Sequence, residues 1–244
     1  RATKITGSPY RQDSNPANSP PGPAVLTLGA CVYTLTEMDN TAQVEGITVN
    51  NGLPVITSEI TIHGNNAVIE VQEASGELPF GPFFVGPDGD LEIYDLLISD
   101  GKRPVGGAVI NNGGDFFASD VTFIDNLAYP ADNGVPARGG AIFSVDGRVR
   151  VIDTSHFQGN MAGETMTAGV NLGGAIYSKN STLLVTNTSF LWNFASGDGG
   201  AIYAEKTPAN EGGGLITITD SQFNENTADQ NGGGLAVVNE DTTW

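Results

Sequence analysis

The sequence predicts an all-β protein, a right-handed parallel β-helix (solenoid) of about seven to eight rungs, and two repeated elements predict it. A Gly-Gly element reading GGAV, GGAI or GGGL has its first glycine at Gly106, Gly139, Gly173, Gly199 and Gly232. It alternates strictly with an FxxN element at Phe123–Asn126, Phe157–Asn160, Phe190–Asn193 and Phe223–Asn226. Successive phenylalanines lie 34, 33 and 33 residues apart, and successive glycine pairs 33, 34, 26 and 33. A repeat of this size is a supersecondary unit that cannot bury its apolar face alone and must stack on its neighbours.

The shortest unit begins at Gly173 and holds two short apolar runs, Ala175–Tyr177 and Leu183–Val185, separated by Asn- and Ser-rich turns. Such runs between polar breakers are strand signals. The longer units equal this one with an insertion, after FxxN in two cases (Tyr129 to Arg138, and Gly163 to Leu172) and around Glu205 to Gly213 in a third. Upstream the motifs fade, yet Leu53–Ile56, Ile60–Gly64, Ala67–Val71, Phe83–Val85 and Leu91–Ile98 keep the rhythm of short β runs between Gly, Asn, Pro and Asp. At about 4.8 Å per rung the stack is expected to be a rod of roughly 35 to 40 Å. Residues 1–24, rich in Pro, Ser and Asn, read as an arm or linker. Residues 25–244 read as a single β-helix domain that continues or docks beyond its C-terminal end, since a stacked solenoid leaves unpaired edges there.

Stacking turns a repeat in sequence into a column in space. Phe123, Phe157, Phe190 and Phe223 are expected to form an aromatic ladder in the core, driven by burial. Asn126, Asn160, Asn193 and Asn226 mark a corner, where asparagine tolerates the left-handed conformation and its amide can bond the next rung. The glycine pairs mark another corner that needs positive φ or close backbone approach.

Composition narrows the function classes. The 33 glycines among 244 residues have no G-X-Y period, which excludes collagen. Ten Lys+Arg against 28 Asp+Glu give a formal charge of -18, so no nucleic-acid partner is expected. No apolar run approaches the length of a membrane span. The single cysteine, Cys31, excludes an internal disulfide and reads as a small buried hydrophobe.

Catalytic constellations fail on spacing. His63-Gly64 lacks the clustered aspartates and Arg-x-Lys of a polygalacturonase-like site. Lys102, Arg103 and Arg138 are isolated cations and read as solvated loop charges. Asp153, Ser155 and His156 are triad types, but neighbours on an extended segment point to alternate faces and do not converge. Asp88, Asp90, Asp95 and Asp100 cluster in one rung as candidate calcium ligands, with Asp115, Asp120 and Asp125 nearby; no other cofactor is indicated. The two insertions leave the same corner of consecutive rungs, forming a ledge that presents Tyr129, Asp132, Arg138 and Glu164 to a partner.

GGA[ILV] alternating with FxxN resembles the repeats of the polymorphic outer-membrane-protein (Pmp) family of bacterial surface proteins. That resemblance implies a right-handed β-helical passenger associated with adhesion. The stretch Cys31 to Ile69, especially GLPVITSEITIHGNNAVIE, is similar to the start of extracellular β-helix proteins with a CSLREAI-type entry motif, with CVYTLTE standing at that entry. The expected protein is therefore non-enzymatic and extracellular or at the cell surface, acting in adhesion or as a structural subunit of a fibre or surface layer. Its partner is a protein or glycan on a surface, or another copy joined through the solenoid ends as a filament. The alternative is a polysaccharide-acting β-helix enzyme, a lyase or glycoside hydrolase.

Overall fold

The computed structural model describes residues 23–131, 134–163, 170–207 and 214–239. Among these there is no helix, and so none long and apolar enough to cross a membrane. The chain winds as a parallel β-solenoid with three faces. The long face stacks Ala24–Thr27, Glu59–Val71, Asp90–Ser99, Asp115–Ile124, Arg148–Ile152, Thr182–Thr186 and Ile216–Thr219. From the fifth of these onward, the second half of each rung is a separate strand: Ser155–Gln158, Thr188–Leu191 and Gln222–Asn224. The short face stacks two-residue strands, Lys102–Arg103, Leu127–Ala128, Met161–Ala162, Phe194–Ala195 and Thr227–Ala228. The third face stacks Phe83–Val85, Val109–Asn112, Ile142–Val145, Ile176–Lys179, Ile202–Lys206 and Leu235–Asn239.

The winding gives about six turns, fewer than the apolar runs suggest. Two segments upstream of the glycine repeats add no turn. Residues Asn40–Val44 and Ile47–Asn51 pair antiparallel as a hairpin that lies outside the stack. The run at Leu53–Ile56 contributes only one bridge, Ile56 to Val85. At about 4.8 Å per turn the rod is roughly 29 Å tall.

The interior is built from ladders. Phe123, Phe157, Phe190 and Phe223 stack with centroids 4.7, 4.8 and 4.8 Å apart and rings within 11° of parallel. Beside them Asn126 Nδ2 donates to Asn160 Oδ1 (3.0 Å), Asn160 to Asn193 (3.0 Å) and Asn193 to Asn226 (2.9 Å). Each Nδ2 also donates one rung back, to the carbonyl of Ile98, Phe123, Phe157 or Phe190. The acceptors Asn160, Asn193 and Asn226 take a second bond from the backbone N–H of the preceding asparagine. The asparagines do not themselves adopt positive φ. That conformation falls on the residue before them: Asp125 (52°), Gly159 (65°), Trp192 (56°) and Glu225 (52°). The amide is thereby freed to point inward.

The glycine corner divides its labour. The first glycine of each pair holds φ between 58° and 67°. The second has no room for a side chain: a Cβ on Gly107, Gly140, Gly174 or Gly200 would lie 2.0 to 2.3 Å from the carbonyl oxygen of the equivalent glycine one rung on.

Arg103 departs from the solvated role its sequence suggests. It occupies the position filled one rung later by Ala128 and then by Ala162 and Ala195, a column of buried alanines. Its side chain fills the end of that column, fully buried. The guanidinium donates to Gly106 O (2.6 Å), Asn51 Oδ1 (2.8 Å) and Phe83 O (2.7 Å). Burial without a carboxylate pulls its pKa down to about 9, so it remains charged at neutral pH. It ties together the base of the hairpin, the first strand of the third face and the first glycine corner. Cys31, in contrast to its expected burial, is an exposed free thiol.

Phe157→Ala is expected to lower unfolding stability by about 3–5 kcal/mol, since it deletes the middle of a stacked column. Asn160→Leu should cost about 1–3 kcal/mol by orphaning the acceptors and donors of two neighbouring rungs; urea titration followed by circular dichroism measures both. Arg103→Met should cost about 1–3 kcal/mol in the same assay, because it removes a buried charge but leaves the oxygens of Gly106, Asn51 and Phe83 without their donor. Arg103→Lys should recover part of that loss, because an ammonium can still serve some of the three acceptors.

Candidate binding surface

The insertions leave the solenoid at the end of the short face, and the residues there alternate in and out. Ala128, Ala162 and Ala195 point inward and are buried. Leu127, Met161 and Phe194, in register on successive rungs, point outward and are half-buried. Two residues before Phe194, Trp192 stands 54% exposed in the left-handed conformation, its indole N–H donating to Glu225 at 2.5 Å. That positive φ is the corner conformation it shares with Asp125, Gly159 and Glu225 on the other rungs. Together these side chains make an apolar and aromatic row along one corner of a rigid stack.

Of the four ledge residues expected from sequence, Tyr129 is half-buried beside this row, with Lys102 Nζ 6.0 Å from its ring centroid. Asp132 and Glu164 lie outside the described residues. Arg138 is turned to the hairpin instead of outward: it pairs with Glu45 at 3.0 Å and its guanidinium sits 5.4 Å over the Tyr177 ring. Lys179 reaches the same carboxylate at 2.7 Å. Glu45 sits in the tight turn of the hairpin, where Glu45 and Gly46 both hold positive φ, 47° and 77°. One carboxylate thus bridges two rungs to the hairpin. Beneath it, Val44, Ile47 and Val49 of the hairpin pack in one buried cluster with Phe84, Ile110 and Phe143, side chains that point outward from the third face. Glu45, Ile47, Val135, Pro136, Arg138 and Lys179 line a shallow cleft there. The hairpin was not foreseen from sequence, although Glu45-Gly46 between Thr41–Val44 and Ile47–Val49 carries a hairpin signature.

The acidic residues have structural posts. Asp95, Asp120, Asp153 and Asp220 take positive φ (48° to 55°) at the kink midway along the long face, and Asp100 and Asp125 at the corner after it. Asp90 lies at the start of its strand, in register with Glu59 below and Asp115 above. Asp88 falls in the turn before. Asp88 and Asp90 thus share one turn while Asp95 and Asp100 stand at two others, and among the described residues no group of three or more His, Cys, Asp or Glu side chains is placed to hold a metal ion. Stacking like charges has a cost: the Asp125 carboxyl is pushed up by burial and then by Asp100. Asp153 and His156 are exposed while Ser155 is buried, so that trio does not converge.

Fold and surface together define a parallel β-solenoid with a ladder-built interior and recognition features on its outer corners. Residues 187–205 match the family described as the Chlamydia polymorphic membrane protein (Chlamydia_PMP) repeat. That stretch runs from the kink at Asn187 through Phe190, Asn193 and the glycine pair at 199 and 200 to the third face. Over 110 residues the chain is 38% identical to the probable autotransporter YfaL of Escherichia coli (strain K12). The match covers 43% of this chain and 9% of that protein. No solved structure matches. The chain resembles Pmp-type repeat proteins, and both comparisons associate such repeats with the outer membrane or cell surface.

Glu45→Gln removes both ion pairs at the hairpin turn. Because the partners are a fifth to a quarter exposed, the global loss should stay within about 1 kcal/mol. The expected change is local: faster amide hydrogen exchange across residues 40–51, with the ladder strands unchanged.

Proposed function

We propose that this chain serves as an extracellular, cell-surface rod that acts in adhesion without catalysis, using the corner row of Leu127, Met161, Phe194 and Trp192 as its contact surface. The observation that carries the reading is that row: Leu127, Met161 and Phe194 in register and partly exposed, with Trp192 54% exposed two residues before Phe194. Trp and other aromatic side chains on a rigid support make strong contact anchors with little ordering entropy to lose. The resemblance to Pmp-type repeats and to an autotransporter supports a surface setting.

The test is adherence of fluorescent beads coated with the purified chain to cultured epithelial cells. Beads carrying the unaltered chain should adhere, and the Trp192→Ser, Phe194→Ser double variant should reduce adherence roughly tenfold or more while keeping its β spectrum. No adherence by the unaltered chain would sink the adhesive reading, and equal adherence by the variant would sink the choice of surface. Release of reducing ends from an acidic polysaccharide by the purified chain would replace the reading with an enzymatic one.

A further inference from the structure

A second feature lies on the outer side of the long face, away from the corner row and independent of it. The inward residues of these rungs, Ile62, Leu91, Ile93, Phe116 and Ala118, are core. The outward ones form a ramp of flat side chains climbing across four rungs. The His63 and Tyr94 rings stack at 5.3 Å, Tyr94 and Phe117 lie 5.4 Å apart, and the Arg150 guanidinium sits 4.9 Å over Phe117. Carboxylates border the ramp on both sides. Glu59, Asp90 and Asp115 are in register along the strand starts, while Asp95 and Asp120 occupy the kinks.

The upper end of the ramp already holds a cation. Arg150 lies on Phe117 and reaches Asp115 at 3.3 Å, and Arg148 meets the same carboxylate at 3.3 Å. One rung earlier Asp90 and Glu92 stand in register with Asp115 and Phe117, the Tyr94 ring lies two residues further along, and there, among the described residues, no cation forms an ion pair. Glu92 accepts the Tyr94 hydroxyl at 3.0 Å. Asp90 Oδ1 is buried and accepts no hydrogen bond among the described residues. A buried carboxylate oxygen without a donor is costly, and a guanidinium or ammonium is the group that would satisfy it. Burial first, and then the nearby Asp115 and Glu92, push the Asp90 carboxyl up, and Arg150 offsets only part of that rise.

We propose that this face docks a basic polypeptide segment of a partner protein, whose Arg or Lys side chains lie against Tyr94 and His63 and pair with Asp90 and Glu92. Arg150 on Phe117 is the internal template for the contact. The occupant follows from charge complementarity: carboxylates flank the rings, and the chain carries -18 overall. A neutral sugar would stack on the rings but leave Asp90 without a counter-charge, and an acidic glycan would be repelled.

The experiment measures binding of a fluorescent oligoarginine peptide to the full chain by anisotropy, at low and at physiological salt. Tyr94→Leu with Asp90→Asn should weaken binding about tenfold, reflecting loss of a ring contact and an ion pair. Arg150→Gln vacates Phe117 and leaves Asp115 to Arg148 alone, and should tighten binding several-fold; adding Phe117→Leu should cancel that gain. Asp100→Asn with Asp125→Asn, which neutralises two carboxylates at a different corner, should change affinity less than twofold. Circular dichroism checks that every variant is folded. An equal loss in the Asp100, Asp125 variant would reduce the effect to diffuse electrostatics and overturn the proposal. So would displacement of the peptide by a neutral chito-oligosaccharide, which would make the face a glycan site. Peptide binding that appears only when the chain begins at residue 23 would assign the face to the chain's own residues 1–22, and the proposal would fall.

Discussion

The structure depends on the asparagine ladder more than on any single apolar contact. Burial is non-directional and would tolerate several ways of stacking apolar rungs. A buried primary amide is not so tolerant: it has two donors and an acceptor with two lone pairs, and each must find a partner. Asn160 finds all of them only when the rungs above and below stand in one register, with Asn126 and Asn193 directly over and under it. A one-residue slip would strand the amides in the core and turn every strand's apolar face outward. Once the amides fix the register, the phenylalanines have no choice but to stack face to face, and the glycines at the next corner are brought to a distance no side chain could occupy.

Much of this was written in the spacing of FxxN and GG, because a residue repeated at the rung length sits in the same environment each time. The features that escaped are those that occur once or that connect rungs of unequal length. Glu59, Asp90 and Asp115 are register partners, yet their separations do not match the later 33- or 34-residue spacing, so no self-comparison aligns His63, Tyr94 and Phe117. The burial of Arg103 escapes the sequence pattern for a related reason. It ends a column whose other members are alanines, and the space it fills exists only because the column has no earlier rung. Tyr129 and Arg138 are close in sequence, but the hairpin draws Arg138 away through Glu45, a contact spanning 93 residues that no local pattern encodes.

The acidity also acquires a local cause. A parallel rung must turn sharply three times, and each sharp turn favours a residue that tolerates positive φ. Glycine serves where backbones touch, while Asp and Asn serve where a side chain can face solvent. Asp95, Asp120, Asp153 and Asp220 at one kink, Asp100 and Asp125 at a corner, and Asp146 at another are turn formers first. Their charge accumulates because stacking repeats the choice on every rung. The Asp90 and Asp125 carboxyls are raised first by burial and then by neighbouring acids, Asp115 and Glu92 for the one and Asp100 for the other, so repetition adds to the cost of burial. A raised carboxyl binds its proton more readily in the fold than in the unfolded chain. The contribution of these two residues therefore favours the fold as pH falls through the carboxylate range and opposes it above.

A column of like charges held at fixed spacing is costly alone and favourable beside a cation, and two neighbouring rungs of the long face show both conditions. Arg148 and Arg150 neutralise Asp115, whereas Asp90 has no ion-pair partner among the described residues. Since the ladders hold each rung rigidly, Asp90 cannot move away from its neighbours to relieve the strain. The same rigidity that the asparagines impose for folding thus leaves the outer face preorganised, its rings and carboxylates already in place before any partner arrives, so that binding need not order them. In this fold the inward residues are constrained by every rung at once and the outward ones by none, and recognition can be rewritten on one surface without disturbing the register beneath it.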